Sequence, residues 1–396
     1  MMKKVKQAVI LAGGLGARIY PLSNSTPKPM LDIGGYPFLY YLIERLEKYK
    51  FSEVLILVGY KSEKFKKLLH LCKKFKINIK LIYSPTNYNT GARLKVAYPY
   101  LKDFFFLMYG DNFLPFNFDE ILKNYIKKKL DNQLVVYRNV DNYSTSNIKI
   151  NKDNIVTDYD STRKKGYDFV NIGFFILRKK YISNISSSKN CKFENQVLIK
   201  LIKKKKISAY ITSHRYYSLS NMSRYFLTNH FFKNRNRFVF LDRDGVLNVK
   251  KEKGEYVENL KEFIWKKGSL KAIKFLGKKN KKIIIISNQA GIALNKVQLE
   301  DLNKIHNYII NKSLELGANV EDIIFCPHHW DDNCSCRKPK SGMLYHAQKK
   351  FNIDLTNSLF VGDQKTDRMC AKNANVPYLH LNKNKSLYDL LKQQKF

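Results

Sequence analysis

Short apolar runs that stop at glycine, aspartate or serine recur along this 396-residue chain. The first, at 5–11, is unbroken from Ala8 to Leu11 and stops at Gly13-Gly14, as a buried parallel strand does. Helical spacing follows at Phe38, Leu39, Leu42, Ile43 and Leu46, then a strand at 54–58, a polar helical stretch and a strand at 79–83. The run at 104–109 is very apolar and stops at Gly110-Asp111. Strand–helix alternation of this kind predicts a doubly wound parallel sheet. Residues 133–177 read as richer in strand, and 193–203 as a helix. The rhythm then restarts. Strands at 237–241, 282–286 and 358–361 end in Asp242, Ser287 and Gly362-Asp363, with helical stretches between them. Two α/β domains are therefore expected, at 1–234 and 235–396, joined by a short basic linker near 233–236.

Composition changes this picture little. Apolar residues at 44% can fill two cores. Lys and Arg number 72 against 33 Asp and Glu, a formal charge of +39 that suits anionic partners such as phosphorylated substrates. Charge runs are usually solvated faces, however, and the lysines at 127–129 and 203–206 close apolar-periodic segments, where cations favour helix C-termini. No basic stretch carries interleaved stacking aromatics, so no nucleic-acid partner is expected. The basic opening runs into a strand and glycines, not into an apolar stretch with a cleavage site, and no apolar run is long enough to span a bilayer. The expectation is a cytoplasmic protein with reduced cysteines, its homo-oligomerisation left open.

The chemistry lies at strand ends. FLDRDGVLN sets Asp242 and Asp244 two residues apart, just past a strand. Asp242 can attack phosphorus and form an aspartyl-phosphate, while Asp244 can protonate the leaving oxygen and later activate water. Ser287 in ISNQAGI, with Asn288 beside it, can bond a phosphoryl oxygen. Lys338, with Arg337 beside it, can offset the charge. Asp363 in VGDQKTD can complete a Mg²⁺ site with Asp242 and Asp244. A lone DxD is more often a turn or cap; these pieces together, each tied to a strand end, argue for a site. CPHHWDDNCSCRKP then supplies Cys326, His328, Cys334 and Cys336, four ligands of the types that close a structural Zn²⁺ site, with His329 as the alternative histidine.

These residues resemble the haloacid dehalogenase (HAD) superfamily of phosphatases over about 237–390. The cysteine cluster resembles the zinc-loop subgroup without a large cap, which includes heptose-bisphosphate and histidinol-phosphate phosphatases. Gly342-Met343 after RKP looks like the heptose enzymes, whereas Leu294 in AGIALN departs from the arginine usual in them.

At the other end, AVILAGGLGARIYPLSNSTPKPML places Gly13, Gly14 and Gly16 directly after a strand, where backbone amides can approach a triphosphate. Arg18 and Lys28 can neutralise charge as pyrophosphate leaves. GGxGxR followed by PKPM resembles the sugar-phosphate nucleotidyltransferases over about residues 5–230. GGYPFLYYLIERL and LVGYKSEKF look most like the heptose 1-phosphate guanylyltransferases, while NTGARLK resembles cytidylyltransferases. The resemblance makes Asp111 a Mg²⁺ ligand. It also marks two departures: Ser218 stands near a second metal-binding aspartate of the family, and Ser161 where a phosphate-binding lysine is expected, with Lys164 or Lys165 as substitutes.

Together the resemblances imply two Rossmann-like doubly wound domains in tandem, the second HAD-like with a zinc-stapled loop. Mg²⁺ serves both and Zn²⁺ the second, and the substrates are sugar phosphates and an NTP. The implied function is phosphatase removal of the 7-phosphate of a heptose 1,7-bisphosphate, followed by transfer of a nucleotide, GTP favoured, to the heptose 1-phosphate. The alternatives are a cytidylyltransferase for another sugar or polyol phosphate beside a phosphatase, or a phosphatase with a catalytically lapsed N-terminal domain.

Overall fold

Strand β1 (Gln7–Leu11) is buried along its whole length, and its side chains alternate between two cores. Ala8 and Ile10 join one apolar cluster, Val9 and Leu11 the other. Burial on both faces is why the run is continuous in sequence. The computed structural model describes residues 6–128, 130–162, 165–186, 190–235, 238–252, 254–382 and 384–394. It divides into two units, Met1–Lys233 and Asn234–Phe396.

In the first unit, a small hairpin of β2 (Asp32–Ile33) and β3 (Tyr36–Pro37) precedes β4 (Glu53–Val58), β5 (Asn78–Tyr83) and β6 (Phe104–Tyr109). Strands β5, β4, β1 and β6 are parallel neighbours. After β7 (Asn112–Phe113) come β8 (Asn132–Arg138), β9 (Ile148–Ile150), β10 (Val156–Tyr159) and β11 (Phe169–Arg178). Here the sheet departs from the wholly parallel expectation. Strand β11 runs antiparallel to β6, β8 and β9, because loops and not crossover helices connect β8 to β11. Strand β12 (Ile207–Thr212) pairs parallel to β8, and β13 (Tyr217–Ser218) pairs with β7.

The second unit is a five-stranded, wholly parallel sheet. Its strands are β14 (Phe238–Leu241), β15 (Lys282–Asn288), β16 (Val320–Cys326), β17 (Leu359–Gly362) and β18 (Tyr378–His380), in the order β16-β15-β14-β17-β18. Helices Ser269–Lys278 and Leu299–Glu315 pack Ile273, Leu276, Ile305 and Ile309 against one face with Val239 and Leu241. Helices Gly342–Phe351 and Lys365–Asn373 bring Met343, Leu344, Cys370 and Ala371 to the other, with Phe238 and Phe240. The strand order reverses between β14 and β17, so a crevice opens at their carboxyl ends, the usual place for a ligand in such sheets.

Candidate functional site

Asp242 follows β14 and Asp363 follows β17, on the two sides of that switch point. With Asp367, one turn into the helix Lys365–Asn373, they form a group whose carboxylate oxygens lie within 4.8 Å of one another. Lys338 binds two of the three: its Nζ is 2.7 Å from Asp242 Oδ1 and 2.7 Å from Asp367 Oδ1, and it also donates to Ile286 O at 3.2 Å. Burial opposes charge on Lys338, but Asp242 and Asp367 outweigh it and hold the ammonium protonated well above its usual range. Burial pushes the Asp242 carboxyl up, Lys338 draws it down and the Asp367 charge raises it again.

The carboxylates suit a divalent cation. Asp363 Oδ1 is buried with no hydrogen-bond partner among the described residues. Gly245, at φ +92, leaves the space that Asp363 fills; a Cβ there would lie 2.3 Å from its Oδ2. Asp244 was expected to share this group, but its carboxylate is engaged elsewhere. It receives Arg243 Nε at 3.1 Å and Nη2 at 2.9 Å, Asn248 Nδ2 at 3.0 Å and Gln289 Nε2 at 2.8 Å. The reason is Arg243, only 1% exposed, whose buried charge needs an anion beside it. Burial raises the Asp244 carboxyl, but Arg243 and the other donors bring it below the usual carboxylate range.

A cavity of ≈ 470 Å³ adjoins these groups, lined by Asp242, Asp244, Ser287, Asn288, Arg337 and Lys338 among others. Ser287 Oγ is buried beside Asp244 and accepts from Gln289 Nε2 at 2.7 Å. The Asn288 side chain pairs with the Lys338 backbone in both directions, at 3.0 and 3.1 Å, and so fixes the loop that carries Lys338. Arg337 donates to His328 O at 3.4 Å and lines the cavity wall.

The cysteine cluster closes into a compact set. Cys326 Sγ is 3.6 Å from Cys334 Sγ and 3.3 Å from Cys336 Sγ; Cys334 and Cys336 are 3.4 Å apart; His328 Nδ1 is 3.2 Å from Cys336 Sγ and 3.6 Å from Cys326 Sγ. A tetrahedral ion bonded to sulfur at ~2.3 Å needs ligand separations of about 3.5–3.8 Å, so the four residues fit one metal ion with little adjustment. His329 turns away and caps the short helix Trp330–Asp332.

In the first unit, Gly13, Gly14, Gly16, Arg18, Lys28 and Asp111 line one cavity of ≈ 370 Å³. Lys28, nearly buried, meets Asp111 Oδ2 at 2.6 Å. Gly13 is required by a residue the sequence reading left aside: a Cβ there would lie 2.4 Å from the guanidinium of Arg93. Arg93 is buried and donates to Gly13 O at 2.9 Å, Val58 O at 3.1 Å and Thr86 O at 3.0 Å, tying the glycine loop to β4 and the loop after β5. A second cavity, of ≈ 1080 Å³, shares Arg18, Asn89, Thr90, Tyr109 and Asp111 with the first. Both serines that mark departures line it, and Ser218 pairs with Asn112 beside Asp111. The carboxylates lining it are Asp111 and Glu194, the latter accepting from Tyr109 Oη at 2.5 Å. Asp111 thus offers one carboxylate, which suits a Mg²⁺ held mostly by phosphate oxygens. Lys164 lies outside the described residues, and the exposed Lys165 is not part of the cavity wall.

Comparison with known proteins agrees with this division. Residues 7–218 match the Nucleotidyl transferase family and residues 237–385 the Polynucleotide kinase 3 phosphatase family. The D-glycero-beta-D-manno-heptose-1,7-bisphosphate 7-phosphatase of Helicobacter pylori is 37% identical over 145 residues, 36% of this chain and 82% of that protein. The D-glycero-alpha-D-manno-heptose-1,7-bisphosphate 7-phosphatase of Campylobacter jejuni is 33% identical over 162 residues, 41% of this chain and 91% of that protein. The structure of HddC from Yersinia pseudotuberculosis complexed with GMP-PN is 25% identical, with a TM-score of 0.50, and covers 58% of this chain and all of that one. No helix of the described residues is long and apolar enough to cross a membrane. The chain belongs to the nucleotidyl transferase family through its first unit and to the heptose-1,7-bisphosphate 7-phosphatases through its second, and is an enzyme of two activities, phosphomonoesterase and nucleotidyltransferase.

Proposed function

We propose that the second unit removes the 7-phosphate of D-glycero-D-manno-heptose 1,7-bisphosphate and that the first joins the resulting heptose 1-phosphate to an NTP, GTP by preference, releasing pyrophosphate. The observation that carries the first step is the grouping of Asp242, Asp363, Asp367 and Lys338 at the switch point of a parallel sheet, beside a cavity. An Asp242 carboxylate oxygen attacks the 7-phosphorus, and the bond to the sugar oxygen breaks with its electron pair on that oxygen. Asp244, whose carboxyl the bound phosphate anion pushes back up, donates the proton that makes the sugar hydroxyl. It then takes a proton from water as that water attacks the aspartyl-phosphate; the phosphorus–Asp242 bond breaks and inorganic phosphate leaves. Lys338 neutralises charge, and Ser287 with the loop held by Asn288 receives phosphoryl oxygens. Mg²⁺ held by Asp242, Asp363 and Asp367 would supply charge neutralisation for the transferred group. A structural Zn²⁺ on Cys326, His328, Cys334 and Cys336 would shape the rim that carries Arg337.

In the first unit, a sugar 1-phosphate oxygen attacks the α-phosphorus of the NTP and pyrophosphate departs, with no covalent enzyme intermediate. Gly13, Gly14 and Gly16 receive the triphosphate, Arg18 and Lys28 offset its charge, and Asp111 would hold Mg²⁺. The GMP-PN bound to HddC supports a guanine base. One observation favours the reading of a lapsed first unit: Ser218 stands where a second carboxylate is expected, beside Asp111. Pyrophosphate release from GTP and heptose 1-phosphate, lost in Asp111→Ala while phosphate release persists, supports two live sites. Turnover with no NTP would leave the second unit as the working enzyme.

A further inference from the structure

The Asp244 carboxylate sits in an unusually complete cage. Arg243 grips both of its oxygens, Asn248 donates to Oδ1 and Gln289 to Oδ2, and Ser287 Oγ lies 3.5 Å from Oδ2. All four of these neighbours are 1% exposed or less. Among the described residues, no other carboxylate forms an ion pair with Arg243. Its Nη1 is buried without a hydrogen-bond partner among the described residues, and Asp244 is its ion-pair partner. If Asp244 swung toward the metal carboxylates, a buried guanidinium would stand unpaired, a change that is strongly unfavourable. Gln289 is held just as firmly. It donates to Ser287 Oγ as well as to Asp244, and its backbone N–H is bonded to Cys326 O at 2.8 Å.

From this cage we propose that Arg243 and Gln289 are positioning residues for the phosphatase step. They keep the Asp244 carboxylate in one orientation, at the cavity wall and out of the metal group, where it can transfer a proton to the departing sugar oxygen. This rests on the phosphatase reading above. A cage that orients Asp244 serves the hydrolysis of the aspartyl-phosphate with every substrate, and serves the first step only when the leaving oxygen needs a proton. An alkoxide leaving group needs it and a nitrophenolate does not.

The test is steady-state phosphate release by the full chain with Mg²⁺, on heptose 1,7-bisphosphate and on p-nitrophenyl phosphate. Wild type is compared with Gln289→Leu, Arg243→Lys and Asp244→Asn. Gln289→Leu is expected to lower kcat on the sugar substrate about 10- to 100-fold, within the usual worth of a positioned proton donor, with KM little changed. On p-nitrophenyl phosphate, where Asp244 serves only the hydrolysis of the aspartyl-phosphate, its kcat should fall at least about 5-fold less than on the sugar, and the turnover that remains shows that the variant is folded. In an Asp244→Asn background the same substitution should have no further effect, because the two residues act as one unit. Arg243→Lys keeps the charge but loses the two-pronged grip, so it should follow the same substrate pattern. Equal losses on both substrates, or losses that multiply with Asp244→Asn, would overturn the positioning role alone. A wild-type chain that releases no phosphate from the sugar bisphosphate would overturn the phosphatase reading and this role together.

Discussion

At Lys338 a single buried ammonium is shared by two carboxylates, and this residue shows how function and stability are coupled here. Removing one member of such a group leaves uncompensated buried charge, at a cost of about 3–5 kcal/mol. Lys338→Met should therefore abolish phosphate release and lower the thermal midpoint, with Mg²⁺ restoring part of the stability by replacing the ammonium between Asp242 and Asp367; unchanged melting in both conditions would contradict the charge assignment. His306 gives a pH-dependent expectation. It is buried near Arg243, with Asp244 and Asp322 as nearby anions, and burial first and then Arg243 lower its pKa to about 4. The unfolded chain binds a proton near the ordinary value of about 6.5, so the unfolded state gains protons first as pH falls. Stability is then complete above about pH 6.5 and declines toward pH 4, by up to about 1.4 kcal/mol per pH unit from this residue. His306→Gln should flatten that part of the stability curve; an identical slope in the variant would show that other groups set it.

At the scale of elements, the central parallel strands β1, β4, β6, β14 and β15 were readable because they are buried on both faces, and some stop where chemistry begins, as Phe238–Leu241 does at Asp242. Lysine runs were readable as helix ends: Lys127 and Lys128 lie in the last turn of the helix Phe118–Lys128. Other features had no local signal. The antiparallel entry of β11 depends on which partner is free across the sheet. Asp367, in contrast, stands out in sequence beside Asp363 in VGDQKTD after a strand; in the fold it is also a helix cap, its Oδ2 accepting from Gln364 N at 3.0 Å while the same side chain joins the carboxylate group. Arg243 and Arg93 were not legible as site elements because a fully buried arginine is defined by partners distant in sequence or hidden by folding. The Cys326–Cys336 loop allows a direct check, because the chain has 2 tryptophans and one of them, Trp330, lies in this loop, 56% exposed and beside the cavity. Trp265, the other, donates to Tyr308 Oη at 3.1 Å. In a Trp265→Phe chain, chelation should shift the remaining emission and slow phosphate release, and Cys336→Ser should lose one equivalent of bound zinc by elemental analysis. Unaltered emission and zinc content would contradict a metal-held loop.

Over the whole molecule, the two proposed sites lie in separate units, with Asp242 in one and Asp111 in the other. Asp242→Asn should reduce phosphate release by at least about 10³-fold while nucleotidyl transfer from supplied heptose 1-phosphate continues, and Asp111→Ala should do the reverse. Loss of both activities in either variant would argue against separable sites. The order of the steps places one demand on the chemistry: the phosphate at the anomeric carbon must survive the phosphatase. The most direct measurement follows heptose 1,7-bisphosphate, GTP and Mg²⁺ with the purified chain by ³¹P NMR in a single sample. The account predicts that the 7-phosphate signal gives way to inorganic phosphate while the anomeric phosphate persists, then moves into a diphosphate linkage as pyrophosphate appears. Release of the anomeric phosphate, or a sugar left unphosphorylated at the end, would contradict it.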